Sequence, residues 1–287
     1  MTEQLISSNV TLGQVNELAV LRVHNKRASA SIALQGAHIY EFTPVNGDNL
    51  LFVSTAETFE AGSAIRGGIP VCWPWFGPHT KNKTAPAHGL VRDVNWQYEV
   101  ISDHDARTDI KFWFETTGDN ANFPYRARVE LLASIGDTLV VSLTTSNLDD
   151  QPFLISQALH TYFKCKDVAD VRLHGLAGAC FLDKLTSENR YVPTEFRFDQ
   201  EIDWVLQEPG APVGFTGLGH ANIKLTRLGS RSLVIWNPWV EKSKTLSHFQ
   251  ADDYRQMFCV ETGNVSEDSR LIKPKQNHVM LMELGHG

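Results

Sequence analysis

Two segments of the chain carry side chains that could transfer protons. His160 lies in SQALHTYF, flanked by apolar residues, and Glu261 follows the apolar run FCV in FCVETGN. A carboxylate buried among such residues is costly to keep charged, so its pKa rises and it becomes a usable base near neutral pH. Histidine is its natural partner, because its reference pKa already lies near neutrality. Each residue could instead be a hydrogen-bonded structural group, since sequence spacing alone does not bring the two together.

A loop rich in glycine, proline and aromatic residues spans residues 66–92, with the sequence RGGIPVCWPWFGPHTKNKTAPAHGLVR. Glycine and proline interrupt regular elements, so a structured loop is expected. Its ends are Arg66 and Arg92, and guanidinium groups are rarely buried without an anionic partner. The loop therefore predicts a concave anion-binding site. Three rings could line that site or pack in the core: Trp73, Trp75 and Phe76.

The composition of the 287 residues excludes several functions. A formal net charge of −7 argues against general binding to nucleic acid or membranes, because both need a basic surface. No apolar run reaches the roughly 20 residues that span a bilayer, and residues 1–14 do not resemble a signal peptide. The four cysteines show no metal-ligand spacing and are expected to be reduced thiols of a cytoplasmic protein.

The elements that must position these residues have the pattern of β-strands. Alternating or β-branched segments are separated by Gly, Asn and Asp clusters, whereas helical periodicity is scarce outside a short helix predicted at 251–254. We predict an all-β fold, a large antiparallel β-sandwich, in one domain covering residues 1–287. The predicted strands are 18–23, 29–34, 96–102, 109–115, 125–134, 138–147 and 171–174.

Five separated motifs carry a resemblance to a known family. The chain contains RGGIPVCWPWFGPH, HGLVR, ALHTYF, EID and VETGN, in that order. This series resembles the aldose 1-epimerase superfamily, and within it the hexose-6-phosphate 1-epimerase branch. The resemblance implies a galactose-mutarotase-like β-sandwich that interconverts the α and β anomers of a phosphorylated hexose. It departs at Ala87, where relatives often carry Gln, and at 204–205, where they carry a basic residue and an aromatic one.

The resemblance also implies a mechanism and the residues that perform it. An acid and a base on opposite sides of the sugar ring would open and reclose it, without a metal or a redox cofactor. We expect the enzyme to work as a monomer. The implied roles are general acid for His160, general base for Glu261, binding of the 6-phosphate for Arg66 and Arg92, contact with the sugar or phosphate for His88, and binding of sugar hydroxyls for Asp203.

Two other functions fit parts of the sequence. A non-catalytic carbohydrate-binding protein would share the strands and the aromatic residues, although binding alone does not require both His160 and Glu261. A metal-dependent sugar isomerase would need clustered ligands, and none of the histidines forms a close-spaced pair. The segment 236–239 (WNPW) predicts a fixed turn that packs or rims a groove, and Lys242 and Lys244 could add positive charge near a phosphate.

Overall fold

The computed structural model describes residues 3–210 and 212–287, which fold almost entirely into β-strands. The strands in chain order are β1 (Gln4–Ser7), β2 (Val10–Val15), β3 (Leu18–His24), β4 (Ala28–Ala33), β5 (His38–Pro44), β6 (Val71–Cys72), β7 (Gln97–His104), β8 (Arg107–Thr117), β9 (Arg126–Ile135), β10 (Leu139–Asn147), β11 (Phe153–Ile155), β12 (Gln157–Leu159), β13 (Tyr162–Lys164), β14 (Arg172–His174), β15 (Cys180–Asp183), β16 (Glu188–Tyr191), β17 (Ile202–Gln207), β18 (Val213–Thr216), β19 (Ile223–Leu228), β20 (Ser232–Asn237), β21 (Met257–Asn264), β22 (Arg270–Ile272) and β23 (Asn277–His286).

Helices are short and few in the described part of the chain. An α-helix, α1 (Trp239–Ser243), follows the predicted WNPW turn, and 3-10 turns occupy Val168–Asp170, Asp253–Arg255 and Ser266–Asp268. The helix predicted at 251–254 is therefore only a 3-10 turn. Within residues 3–210 and 212–287, no helix combines the length and apolar character of a membrane span.

The seven predicted strands are confirmed, each within two residues at either end. Strand β10 shows why the pattern was informative, because its residues alternate between buried and partly exposed positions along its whole length. Successive side chains of a strand point to opposite faces, so this alternation places one face on the core. Its β-branched residues suit that half-buried surface.

Two eight-stranded antiparallel sheets form the body of the fold. One has the order β14-β18-β19-β23-β10-β9-β8-β7, and the other has β16-β15-β17-β20-β21-β12-β6 with β13 paired to β21. Smaller sheets comprise β1 to β5 and the pair β11-β22. The large sheets pack through aromatic rings: Phe215 of β18 lies 4.7 Å from Phe163 and 5.4 Å from Phe258, between ring centroids. The predicted all-β antiparallel sandwich is confirmed.

One contiguous cluster of buried apolar side chains connects these sheets. It includes residues from Val10 near one end of the chain to Leu284 near the other. A shared core of this extent supports a single domain over 1–287, which stays a prediction. Two tryptophans of the predicted loop belong to this core. Trp73 is fully buried and donates its indole N–H to Thr145 Oγ1 at 2.9 Å, and Trp75 donates to the Pro86 carbonyl at 3.0 Å.

Candidate active site

The pairing of β12 and β13 with β21 brings the two candidate proton-transfer residues together. Leu159 pairs with Thr262, and Tyr162 pairs with Cys259, so both strands keep one antiparallel register. That register sets His160 directly opposite Glu261, and directly opposed side chains share a face of the sheet. The result is a contact of 3.3 Å between His160 Nε2 and Glu261 Oε1.

The backbone leaves the strand ladder at His160. Its N–H donates instead to the Pro70 carbonyl at 2.9 Å, and the next N–H, of Thr161, turns back to Leu159. The break separates β12 from β13. It lets a residue of the loop that follows Arg66 hold the histidine backbone, while the imidazole stays over Glu261.

A cavity of about 200 Å³ lies above this pair. Its floor is the face of the sheet, because the strand registers align Asp203, Trp236, Cys259 and Tyr162 in one row, and His160, Glu261 and Val234 in the next. Its walls come from loops and α1. The lining residues are Arg66, Phe76, His88, His160, Tyr162, Lys184, Asp203, Val234, Trp236, Lys242, Leu246 and Glu261.

Burial determines the protonation of the central pair. The Glu261 side chain is 1% exposed, and this burial, with the nearby Asp203 carboxylate, raises the pKa of Glu261 well above its usual range. Burial also lowers the pKa of His160, and the neighbouring His88 and Arg92 act in the same direction. Both shifts favour uncharged side chains. Of the two side chains, Glu261 therefore retains a proton more readily than His160 does in the substrate-free protein.

Two buried atoms of the pair are left without a hydrogen bond to the described residues. They are Glu261 Oε2 and His160 Nδ1. Buried polar atoms without a partner are uncommon in folded proteins and call for a physical reason. Glu261 lines the cavity, so its free oxygen is available to a hydroxyl group of a bound molecule.

His88 forms part of the cavity wall as a neutral donor. Its Nδ1 accepts the N–H of Gly77 at 3.3 Å and lies 3.4 Å from Cys72 Sγ, so the ring proton of the neutral form is on Nε2. Burial, followed by the charge of Arg92, lowers the pKa of His88 to about 3. Its ring stacks edge-on against His160, with 5.6 Å between centroids, and against Phe76, at 4.9 Å.

Gly89 fixes the loop that carries His88. It pairs in parallel with Trp73 and has φ of +93°, and a Cβ there would overlap the Trp73 carbonyl oxygen. We expect Gly89→Ala to destabilise the fold by roughly 2–5 kcal/mol, combining about 1–2 kcal/mol for the backbone conformation with about 1–3 kcal/mol for the overlap. Urea unfolding monitored by tryptophan fluorescence measures this loss.

Gly77 provides the matched control for that substitution. It also has a positive φ, +72°, but a Cβ at this position meets nothing within 4 Å. Gly77→Ala should therefore cost only the conformational part, about 1–2 kcal/mol. Equal losses for the two variants would show that the close approach to Trp73 does not constrain the loop.

The cations of the cavity differ in whether they are already paired. Lys184 Nζ lies 3.3 Å from Asp203 Oδ2, and Lys242 Nζ lies 3.2 Å from Glu201 Oε1. The backbone N–H of Arg66 donates to Glu57 Oε2 at 2.6 Å, and its guanidinium donates to the Ser247 carbonyl at 3.3 Å and forms no ion pair with the residues that the structure describes. An anion entering the cavity would find its strongest unneutralised partner at Arg66.

Arg92, the second predicted phosphate ligand, is not among the residues that line the cavity. Its guanidinium donates to the carbonyl of Ala87 at 2.6 Å, and the Ala87 side chain is exposed. Its charge still acts on the site, because it contributes to the lowered pKa values of His88 and His160. Five of the six predicted site residues thus meet in one cavity, and Arg92 lies outside its lining.

Sequence reasoning missed Lys184 and underestimated Trp236 and Lys242. Lys184 directly follows β15, and its N–H donates to the carbonyl of Asp203 at 2.9 Å. Its position in the site follows from the antiparallel pairing of β15 with β17, and residue spacing in the sequence does not reveal that pairing. Phe76 is the one ring of the predicted aromatic group that reaches the cavity; Lys244 pairs with Glu241 and does not line it.

A larger cavity, of about 540 Å³, lies elsewhere and contains none of the predicted site residues. Its charged lining side chains are Lys164 and three carboxylates, those of Glu41, Asp252 and Asp253. This excess of negative charge is unsuited to a phosphorylated ligand. The smaller cavity is the candidate active site on the chemistry of its lining, in spite of its size.

Known proteins share this sequence and architecture. The sequence profile of the family described as aldose 1-epimerase matches residues 19–284. A protein of Escherichia coli (strain K12), provisionally named glucose-6-phosphate 1-epimerase, is 31% identical over 281 residues, which cover 96% of this chain and 92% of that protein. The crystal structure of YeaD from Salmonella typhimurium, provisionally described as a mutarotase, has a TM-score of 0.91 and 25% identity, and covers 98% of this chain and 95% of that one. A galactose mutarotase-like protein from Clostridium acetobutylicum shares the fold, with a TM-score of 0.71, 14% identity, and coverage of 99% and 97%.

The antiparallel β-sandwich and the match to the aldose 1-epimerase profile identify an isomerase of the mutarotase class. The chain belongs to the aldose 1-epimerase family, whose profile matches all but the ends of its sequence.

Proposed function

We propose that this enzyme interconverts the α and β anomers of glucose 6-phosphate. The observation that carries the proposal is the 3.3 Å contact between His160 and Glu261 in a cavity where Arg66 is free to bind an anion. The provisional name of the Escherichia coli relative agrees with this substrate. A neutral sugar would leave the charge of Arg66 unused.

Ring opening moves one proton off the sugar and another onto it. Glu261, as a carboxylate, takes the proton of the C1 hydroxyl, and protonated His160 gives a proton to the ring oxygen. The bond from C1 to the ring oxygen breaks, and C1 becomes an aldehyde carbon. Each positioned transfer contributes roughly 10²–10⁴-fold to the rate.

Reclosure reverses these transfers after rotation about the C1–C2 bond. His160 then takes the proton from the C5 hydroxyl, and Glu261 returns one to the former aldehyde oxygen. Both side chains end as they began, so the pair needs one proton in total. The pKa shifts favour Glu261 as the carrier of that proton in the substrate-free pair, and in the proposed cycle the proton passes across the 3.3 Å contact to His160 before the ring opens.

The contact between acid and base replaces the predicted arrangement on opposite sides of the ring. The two oxygens that exchange protons are both bonded to C1, so they are neighbours in the substrate. Side chains that act on neighbouring atoms must themselves be close, within hydrogen-bond reach of each oxygen. Cross-strand neighbours such as His160 and Glu261 meet that requirement.

Arg66 is proposed as the direct ligand of the 6-phosphate, because it lines the cavity and lacks a carboxylate partner among the described residues. Its planar fork suits a phosphate, with two parallel N–H donors. Arg92 does not line the cavity, and it is proposed to assist through its positive charge and through its hydrogen bond to the Ala87 carbonyl.

The sugar itself is proposed to contact His88 and Asp203. The Nε2–H group of His88 is a donor for a hydroxyl or phosphate oxygen, and Asp203 is an acceptor for hydroxyl protons. Asp203 is already bound to Lys184 at 3.3 Å, so the two can exchange hydrogen bonds with the sugar as a unit. Phe76 offers the apolar ring against which a sugar face can pack.

The alternative of a non-catalytic carbohydrate-binding protein explains less. Binding does not require two titratable groups in contact with pKa values shifted in opposite directions. Such pairs mark sites of acid–base chemistry. A cytoplasmic location and a monomeric state stay predictions.

The decisive experiment follows anomer exchange directly. We expect the enzyme to accelerate exchange between the anomers of glucose 6-phosphate in proportion to its concentration, measured by NMR exchange spectroscopy or by polarimetry after dissolving one pure anomer. Glucose, tested in parallel, should exchange more slowly at equal concentration, because Arg66 then has no anion to bind. Exchange of glucose 6-phosphate at only the spontaneous rate would contradict the proposal.

A further inference from the structure

Cys259 is a buried thiol next to the catalytic pair that the proposed reaction does not use. It lies two residues before Glu261 on β21, so both side chains point to the same face of the sheet. Its cross-strand neighbours are Tyr162 and Trp236, which line the cavity, whereas Cys259 itself does not. The thiol is fully buried and has no disulfide partner.

Three ligand atoms of different chemistry meet at this point. His160 Nε2 or Nδ1, a carboxylate oxygen of Glu261 and Cys259 Sγ all lie within 4.8 Å of one another. Imidazole, carboxylate and thiolate are the ligands that zinc prefers in proteins. Catalytic zinc sites likewise combine three protein ligands with one open position.

The observed spacing suits a tetrahedral ion. Bonds of roughly 2.0–2.1 Å from zinc to nitrogen and oxygen place two tetrahedral ligand atoms about 3.3 Å apart. His160 Nε2 and Glu261 Oε1 are 3.3 Å apart without an ion. Cys259 Sγ lies within 4.8 Å of a ligand atom of each of these two residues, and His160 and Glu261 line the cavity through which an ion would enter.

Charge balance also favours a divalent ion here. Glu261 as carboxylate and Cys259 as thiolate supply two negative charges, which neutralise a dication in a buried place. The ion replaces the proton held by the pair and the proton of the thiol. Glu261 Oε2 and His160 Nδ1, both buried without a hydrogen-bond partner among the described residues, leave the pair free to reorient around it.

We propose that His160, Cys259 and Glu261 form a site for a soft divalent cation such as Zn²⁺, which inhibits the enzyme when bound. The ion occupies the nitrogen and the oxygen that exchange protons with the sugar. The proposed reaction uses both of these atoms, so occupancy of this site removes activity. Harder ions such as Mg²⁺ avoid thiolates and are excluded.

The test uses Co²⁺ as a spectroscopic probe of the whole protein after treatment with a chelator. We expect Co²⁺ to produce a thiolate-to-cobalt charge-transfer absorption that one equivalent of Zn²⁺ displaces. Cys259→Ala should lose this absorption and should bind zinc more weakly, by at least the roughly 10–100-fold cost of removing even a supporting group. Zinc inhibition of anomer exchange should weaken by the same factor, with basal exchange unchanged.

Cys72→Ala is the matched control. Cys72 is also fully buried, and its sulfur lies 3.4 Å from a histidine nitrogen, His88 Nδ1. This variant should keep both the cobalt absorption and zinc inhibition. Thermal unfolding of both variants verifies that the fold is kept. Cys259→Ser is a second, nearly isosteric variant and is tested in the same way.

Two results would overturn the site. One is the absence of thiolate–cobalt absorption in the unaltered protein, and the other is an unchanged cobalt spectrum in Cys259→Ala. The cobalt measurement does not involve a sugar, so it decides on the metal site even if glucose 6-phosphate proves not to be the substrate. If the cobalt spectrum shows coordination by the Cys259 thiolate but zinc does not slow anomer exchange, the proposed inhibition is wrong.

Discussion

Replacing Glu261 with Gln is expected to slow catalysed anomer exchange of glucose 6-phosphate by roughly 10²–10⁴-fold, the usual contribution of a positioned proton transfer. Glutamine has nearly the same size as glutamate and can still hydrogen-bond His160, but it cannot take or return a proton. The measurement is kcat from NMR exchange spectroscopy with the enzyme saturated. Substrate affinity, followed by titration of the phosphate ³¹P resonance, should change little.

His160→Asn supplies the control for that result. The two residues transfer their protons in the same step and act as a unit, so the double variant should be little slower than either single variant, because the effects of such groups are not additive. A Glu261→Gln enzyme with a nearly normal rate would refute the acid–base assignment. So would independent losses that multiply in the double variant.

The second large effect is expected at Arg66. Arg66→Ala should lower kcat/KM for glucose 6-phosphate by roughly 10–150-fold, which corresponds to the about 1.5–3 kcal/mol of a hydrogen bond to a charged group. Activity on free glucose should barely change, since glucose has no phosphate to lose contact with. The measured quantity is the ratio of the two kcat/KM values in the original enzyme and in the variant.

Arg92→Ala is the matched comparison, because Arg92 has the same charge and lies at the other end of the same loop. It does not line the cavity, so its replacement should reduce the ratio less than Arg66→Ala does. A larger effect from Arg92 would mean that its side chain moves into the cavity with substrate. Equal kcat/KM for glucose and its 6-phosphate in the original enzyme would contradict a phosphate site altogether.

The sheet could be predicted because its information is local. Each of the seven predicted strands carries its own alternation of apolar and polar residues, and Gly, Asn and Asp clusters mark its ends. The α-helix Trp239–Ser243 was not predicted, because five residues are too few to show a helical period. Short elements of this kind are fixed by their neighbours, here by the Asn237 side chain that accepts the Trp239 N–H at 2.8 Å.

The site was predicted in its residue types but not in its geometry. His160 and Glu261 were recognisable because titratable groups stood within apolar runs, yet their contact depends on a strand register that spacing does not encode. Lys184 gave no signal, since a lysine after a strand is ordinary in any sequence. The resting place of the shared proton also required coordinates, because it follows from burial on all sides.

In the aromatic loop, the sequence likewise did not predict which ring faces the cavity. Three neighbouring rings look equivalent in sequence, but Trp73 and Trp75 are buried with their indole N–H groups bound, and only Phe76 reaches the cavity. Which ring faces the ligand is decided by how the loop crosses the sheet. That path depends on contacts between residues well separated in the sequence, such as Gly89 against Trp73, and local sequence patterns do not predict such contacts.

Because His160 and Glu261 face each other across two paired strands, the geometry of proton transfer and the preference for a substrate depend on different parts of the fold. The distance between proton donor and acceptor is set by the spacing of hydrogen-bonded strands, so this geometry persists wherever the sheet and the two side chains are kept. The groups proposed to recognise the phosphate, by contrast, stand on a loop and at strand ends, where insertions and replacements are tolerated. Substrate preference can therefore diverge in this lineage while the reaction itself is conserved by the architecture.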